Sequence, residues 1–276
     1  MKTSPKLEEH GDLAEQVVSV IVTGAAGKMG REAVKAISTE PKLQLSGALT
    51  HSTGLGRDAG TVAGIEPLGV SLTDDLTTLL AQVQQPAVLV DLTRGEPAFA
   101  HAQMALDAGL SVVIGATGLS GAQVESLASQ ASAQGLGVLI APNFSIGALL
   151  MMNFAAMAAR YFNWVEIIEL HHDKKADAPS GTALKTASLI AAANSQLQAA
   201  TPDHAARGQL IEGIPVHSIR LPGLLAHQEV IFGDPGQTLT LRHDTLDRSC
   251  FMTGLLLSID KVQTFEGLVY GLEKLI

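Results

Sequence analysis

"VVSVIVTGAAGKMG", Val17 to Gly30, decides the fold. Val17 to Thr23 is a short, continuous apolar run, the pattern of a strand buried on both faces. It runs directly into "GAAGKMG", and helical spacing follows from Lys28 to Ser38, stopping before Pro41. Gly24, Gly27 and Gly30 therefore form G-x-x-G-x-x-G at a strand-to-helix junction. The first glycine permits a tight turn, the second lets backbone approach a pyrophosphate, and the third lets helix and strand pack closely. The helix start then offers N–H donors and a partial positive charge to the phosphate. A bare turn would also explain glycines in a loop, but the strand before and the helix after are the context a dinucleotide site requires.

Working outward, "LQLSGALT" (Leu43 to Thr50) reads as a second strand, Asp74 to Val83 as a helix and "AVLVDLT" (Ala87 to Thr93) as a buried strand. Pro97 to Ala108 reads as a helix closed by Gly109, "SVVIGATG" as a strand entering a turn, Ser120 to Gln134 as a helix, and "GVLIAPNFS" as strand then loop. Strand and helix alternate with short connections, which predicts a doubly wound parallel sheet. After Ser145 the pattern changes. A long helix (Ile146 to Tyr161), the strand "VEIIEL" and an Ala-rich helix to about Asn194 lead through a polar stretch into "VHSIRLPG", "AHQEVIFG" and "QTLTLRHDT". Those three runs look like neighbours in an antiparallel or mixed sheet. Helical patterns, Ser249 to Lys261 and Glu266 to Leu275, end the chain. The division is a dinucleotide-binding domain over 1–144, with 1–16 a loose tail, and a second, α+β domain over 145–249; residues 250–276 could pack back on the first.

The chain has 276 residues, is 46% hydrophobic and carries a net charge of -9, which is ample for a core and disfavours nucleic acid or an anionic membrane as partner. Its single cysteine, Cys250, permits no intrachain disulfide and reads as a small buried hydrophobe. The polar N-terminus lacks the apolar core of a signal peptide, and the apolar region Leu136 to Phe162 is broken by Pro142, Asn143 and Asn153, so no membrane span is expected. A cytoplasmic location is the expectation.

The end of the second strand bears on the cofactor. An NAD site wants an acidic residue there for the ribose hydroxyls. Thr50, His51, Ser52 and Thr53 stand there instead, with Arg57 nearby, and tolerate a 2′-phosphate better, although His51 and Arg57 fit a solvated loop equally well. "GATG" (Gly115 to Gly118) and "APNFS" (Ala141 to Ser145) follow later strands at the edge where open α/β sheets bind ligands, or are ordinary turns.

"ELHHDKKADAPSGTA", from Glu169, is the other informative stretch. Ser180 can cap the following helix, leaving the N–H groups of Gly181 and Thr182 as an anion site. His171, His172, Lys174 and Lys175 lie just upstream, so a small dianion would fit, and a histidine can deliver a proton near neutral pH. The bland alternatives are a satisfied polar histidine and lysines on a solvated face neutralised by Asp173 and Asp177. No cysteine or compact carboxylate set accompanies the histidines, so no metal site is expected.

This stretch closely resembles the signature of the dihydrodipicolinate reductase family, and the resemblance extends over nearly the whole chain: "GAAGKMG", "DLTRGEP", "GATG", "APNFSIG" and "GDPGQTLTLRHDTLDRSCF" follow in the family's order. It implies an N-terminal Rossmann-like dinucleotide-binding domain and a C-terminal α+β substrate-binding and oligomerisation domain. It also implies NAD(P)H-dependent reduction of 4-hydroxy-tetrahydrodipicolinate in the diaminopimelate route to lysine. By matching position, His171 is implied as proton donor and Lys175 as substrate ligand and acid, with His172, Gly181 and Thr182 binding the substrate. Gly24, Ala25, Ala26, Gly27, Lys28, Met29, Thr50, His51, Gly115, Ala116, Thr117, Ala141, Pro142, Asn143 and Phe144 are implied to contact the cofactor. A homotetramer built through the second domain's sheet is implied as well. Ala116, Pro142, Thr50 and His51 depart from many members, and the last two leave NADPH preferred, with NADH possible. The rivals are a redox sensor using a Rossmann domain without turnover and another two-domain NAD(P)-dependent dehydrogenase; the dense acid and cation set argues against the first and the unbroken central motif against the second.

Overall fold

The computed structural model describes residues 17–116, 118–198 and 207–276; the expected tail over 1–16, and Thr117, lie outside the described residues. The chain divides into two compact units, residues 1–138 with 262–268 and residues 139–261 with 269–276.

The first unit is built as the alternation predicts. Strands β1 (Val18–Thr23), β2 (Leu43–Leu49), β3 (Leu72–Thr73), β4 (Ala87–Asp91), β5 (Ser111–Ile114) and β6 (Gly137–Ile140) alternate with helices α1 (Lys28–Thr39), α2 (Ala59–Ala63), α3 (Leu76–Gln82), α4 (Glu96–Asp107) and α5 (Gly121–Gln134). With β12 (Gly267–Tyr270) the sheet order is β12-β6-β5-β4-β1-β2-β3. Leaving β12 aside, that is the doubly wound dinucleotide-binding order. β1 pairs in parallel with both β2 and β4, and β4 with β5. β4, β5 and β6 are buried throughout, because helices cover both faces of such a sheet. α1 turns Ala33, Val34 and Ile37 inward and packs on β1 and β2.

The second unit is a mixed sheet under two helices, α6 (Ile146–Ala159) and α7 (Gly181–Ala193). Its strands are β7 (Trp164–His171), β8 (Gln209–Ile211), β9 (Ile214–Arg220), β10 (Ala226–Asp234) and β11 (Gln237–Thr245), in the order β11-β10-β7-β9-β8. β7 enters between β10, antiparallel to it, and β9, parallel to it. Along β7 buried Val165, Ile167 and Glu169 alternate with less buried Glu166, Ile168 and Leu170, so one face lies under the helices. Glu169 is therefore a carboxylate on the apolar face.

Two readings of the sequence are corrected. Glu266 to Leu275 is not a helix. It holds strand β12 and a short 3-10 turn over Leu272–Lys274, because Gly267 (φ +83°) and Gly271 (φ +97°) break a helix and Leu-Val-Tyr suits a strand. The other predicted end helix begins as a 3-10 turn (Arg248–Phe251) and runs on as α8 (Met252–Lys261). The polar stretch before Gly213 hides β8, which pairs with β9 across Glu212 (φ +51°) and Gly213 (φ +84°). Two positive φ values make the hairpin turn, and Glu at the first gave no turn signal.

Candidate active site

In the first unit Gly24 to Met29, Thr50, His51, Gly115 and Ala116 follow the C-terminal ends of β1, β2 and β5 in the parallel sheet. Gly24 has φ +72°, and Ala25 N–H donates to the Leu49 carbonyl at 3.0 Å, tying the turn to the end of β2. A Cβ on Gly30 would lie 2.1 Å from the Gly24 oxygen, so this glycine sets the helix against the turn. A Cβ on Gly27 would lie 3.1 Å from the same oxygen. Gly27 is the N-cap of α1 with no side-chain cap, which leaves the helix's first N–H groups to an outside acceptor. Gly27 and Lys28 are exposed there, Met29 and Ala26 half-buried, and Ala25 buried. This turn, with no Cβ at Gly24, Gly27 or Gly30 and no side-chain cap on α1, fits a dinucleotide pyrophosphate. Gly115 N–H donates to the Asp91 carbonyl at 2.8 Å, and Ala116 is buried beyond it. Thr50 is also buried, and its hydroxyl donates to the Thr53 carbonyl at 3.1 Å. The exposed groups at the end of β2 are His51, Ser52, Thr53 and Arg57.

Asp91, at the end of β4, is fully buried. Its carboxylate accepts from the Thr23 hydroxyl at 2.5 Å, the Thr93 N–H at 2.8 Å and the Thr93 hydroxyl at 2.6 Å, and meets His101 Nδ1 at 2.7 Å. Burial pushes this carboxyl up, but the hydrogen bonds from His101, Thr23 and Thr93 outweigh it and hold it below the ordinary aspartate value. A cavity of about 550 Å³ lies at the other, N-terminal end of the strands, lined by residues such as Ser19, Gln44 and Gln82, with no titratable side chain.

In the second unit a cavity of about 200 Å³ is lined by His171, Ser180, Thr182, Gln228, His227 and His243, and by Pro142 and Asn143. The strand register builds its floor: Glu169 lies opposite Gln228 on one side and Ser218 on the other, and His171 opposite Ala226 and Arg220. Glu169 has no exposed surface. Arg220 grips it with a two-pronged pair, Nη2 to Oε1 at 2.7 Å and Nη1 to Oε2 at 2.8 Å. His171 Nδ1 meets Oε2 at 2.5 Å and the Ser180 N–H donates to Oε1 at 3.2 Å. Burial raises this carboxyl, but hydrogen bonds from His171, Arg220 and Ser218 overcome it and lower it to about 2. With Nδ1 donating to the carboxylate, Nε2 is the ring nitrogen left for other chemistry.

Ser180 caps α7, accepting from Ala183 N–H at 3.2 Å, so Gly181 and Thr182 occupy the first turn as expected. Gly181 is exposed and a Cβ there would meet nothing within 4 Å, which leaves its backbone open to approach. Thr186 donates its hydroxyl to the Thr182 carbonyl at 2.8 Å and accepts from Gln228 Nε2 at 2.7 Å. That fixes the amide, and Gln228 Oε1, buried in the cavity wall, has no protein partner. Lys175 pairs with Asp177 at 2.6 Å; it and His172 are half-buried on the loop before α7, outside the cavity lining. Ala141 and Phe144 are buried at the end of β6, and Asn143 Oδ1 accepts from Ser145 N–H at 2.8 Å, starting α6. His243 lies 3.1 Å from the Ser145 hydroxyl, and burial lowers its pKa. Burial pushes the Cys250 thiol up, in keeping with a small apolar residue and not a reactive thiol. Among the described residues no group of His, Cys, Asp or Glu is arranged to hold a metal ion, and no helix is long and apolar enough to cross a membrane.

Glu169, Arg220 and Gln228 were not singled out from the sequence. Glu169 had a signal: period-2 counting puts it on the face of Val165 and Ile167, two residues before His171. Arg220 had none, since only the pairing of β9 with β7 brings it there.

A Rossmann-like sheet with a bare helix start, and in the same chain a carboxylate–histidine pair beside a capped helix start, define a dinucleotide-dependent oxidoreductase. The chain belongs to the dihydrodipicolinate reductase family: the model of that family's N-terminal part matches residues 18–144 and that of its C-terminal part residues 147–276. It is 49% identical over 272 residues to the 4-hydroxy-tetrahydrodipicolinate reductase of a Synechocystis strain, covering 95% of this chain and 99% of the relative. It is 52% identical over 269 residues to that of a Cyanothece strain, covering 94% and 98%. A solved structure of dipicolinate-bound dihydrodipicolinate reductase from Paenisporosarcina sp. TG-14 superposes with a TM-score of 0.81 at 40% identity, covering 95% of this chain and all of that one. An amine dehydrogenase from Mycobacterium smegmatis, with a TM-score of 0.64 at 16% identity, shares the fold.

Proposed function

We infer that this chain reduces 4-hydroxy-tetrahydrodipicolinate to tetrahydrodipicolinate in the diaminopimelate route to lysine. The observation that carries the chemistry is His171, paired with buried Glu169 and lining a cavity beside the first turn of α7. Reduced nicotinamide, when bound, supplies the hydride. Gly24 to Met29 and the start of α1 would hold its pyrophosphate, with Gly115 to Thr117 and Ala141 to Phe144 as further contacts. Gly181 N–H, Thr182, His172 and Lys175 hold the carboxylates of the dianionic substrate, Lys175 exchanging its Asp177 partner for the ligand. After water is lost from the 4-hydroxy substrate and hydride reaches carbon 4, the enamine carbon takes a proton from His171. Lys175, on the loop before α7, is the second acid of this reading.

NADPH is the preferred cofactor and NADH the weaker one. What supports this is the absence of a carboxylate at the end of β2 and the exposed His51, Ser52 and Arg57 beside it; a 2′-phosphate, with nearly two negative charges, gains from such donors. A homotetramer formed through the second sheet and a cytoplasmic location complete the proposal. The test is NADPH consumption with freshly generated 4-hydroxy-tetrahydrodipicolinate, compared with NADH, in wild type and Thr50→Glu. No oxidation of either cofactor overturns the activity; a wild type that prefers NADH, or an unchanged ratio in the variant, overturns the cofactor assignment.

A further inference from the structure

We propose that Glu169, clamped by Arg220, is the positioning residue that decides which ring nitrogen of His171 carries the proton to substrate. The inference rests on the reading of His171 as the proton donor and adds what makes it one.

A histidine on a strand end has two ring nitrogens and two neutral tautomers, and only one nitrogen can face a given ligand. Here Nδ1 lies 2.5 Å from Glu169 Oε2. A carboxylate accepts only, so Nδ1 holds its hydrogen and the neutral ring is the Nδ1–H form. The proton that leaves a doubly protonated ring is then the one on Nε2. As it leaves, the Nε2–H bond breaks, a C–H bond forms on the enamine carbon, and a neutral ring remains donating from Nδ1 to Glu169. Water restores the Nε2 proton for the next turnover.

The carboxylate itself cannot drift. Arg220 binds both oxygens and also donates to the Asp177 carbonyl at 2.7 Å, so one guanidinium fixes Glu169 and the loop that carries His172 to Asp177. Ser180 N–H adds a third contact from the helix start. Burial raises the carboxyl, but the hydrogen bonds from His171, Arg220 and Ser218 lower it to about 2, so it is ionised near neutral pH. From the other packed strands, the titratable groups on the cavity are His227, whose Nδ1 is taken by Asp244 at 2.7 Å, and His243. Neither reaches Glu169. A purely structural role, in which Glu169 only neutralises Arg220, would not require His171 to complete the carboxylate's coordination.

Two measurements test the proposal. The first is imidazole ¹⁵N NMR on the full-length wild type, without substrate, with His171 assigned by its loss in His171→Gln. The proposal expects the neutral ring as the Nδ1–H tautomer; an Nε2–H tautomer overturns it. The second is steady-state kinetics of Glu169→Gln, whose amide can donate to Nδ1 and reverse the tautomer. The proposal expects kcat to fall by roughly 10²–10⁴-fold while KM for NADPH stays near the wild-type value; a kcat near wild type overturns it. If the wild type fails to turn over the substrate, the activity reading fails and the NMR result alone decides this one. The NMR arm likewise decides if Glu169→Gln does not fold.

Discussion

The molecule holds two buried carboxylates that look alike. Asp91 and Glu169 both lie near the C-terminal end of a strand, both are fully buried, both meet a histidine Nδ1, and both are held below their ordinary pKa. They differ in what surrounds the pair. Asp91 is satisfied by Thr23, Thr93 and His101, with no lysine or arginine against it among the described residues, and these bonds hold the end of β4 beside β1, where Gly24 packs against Leu92. Glu169 is gripped by an arginine, and its histidine faces a cavity beside a helix start. A carboxylate–histidine pair is thus not in itself a catalytic device. On the proposed reading it becomes one where the second ring nitrogen has somewhere to deliver a proton and the carboxylate is held still while it does so.

The comparison breaks most sharply on the histidines. His171→Gln is expected to lower turnover by roughly 10²–10⁴-fold. His101→Gln is expected to leave turnover near wild type while lowering Tm. Parallel steady-state and melting measurements check both, and equal losses of turnover would erase the distinction.

Acid stability comes next. Glu169 falls from 4.5 to about 2 on folding, so its contribution is fully present above pH 4.5 and is lost as pH falls toward 2. For a fully buried group that linkage is on the order of 3 kcal/mol. Asp91 has the same sign, with its loss beginning below 3.8. Urea midpoints measured down this pH range should fall, and Glu169→Gln should flatten the upper part of the slope. A wild-type midpoint that does not change below pH 4.5 contradicts the expectation.

The smallest expected effect is at Asp91. Asp91→Asn keeps the shape but puts an NH₂ against Thr93 N–H, Thr23 or His101. A cost of about 1–3 kcal/mol in stability is expected, with kcat little altered. A loss of rate larger than the loss of stability would give Asp91 a role in the chemistry.

The family-specific stretch was legible because its chemistry is local. Ser180 caps, Gly181 and Thr182 follow in the first turn, and His171 stands at the strand end, all within a few residues. The glycine turn was legible for the same reason: a positive φ at Gly24 and a forbidden Cβ at Gly30 are demands of the strand-turn-helix corner itself. Thr50 shows where local reading stops. Its position at the end of β2 was clear, but its hydroxyl turns back to the Thr53 carbonyl.

By itself the sequence determined the doubly wound sheet, the second α+β unit and the residues of the two helix starts, since hydrophobic periodicity and capping act over one or two turns of chain. Only the tertiary structure decided that β7 enters between β10 and β9, that Gly267–Tyr270 is a strand at the edge of the first sheet, and that Arg220 closes on Glu169 across 51 residues. Strand pairing joins backbone groups irrespective of distance along the chain, and a buried carboxylate must find its cation wherever the register delivers one.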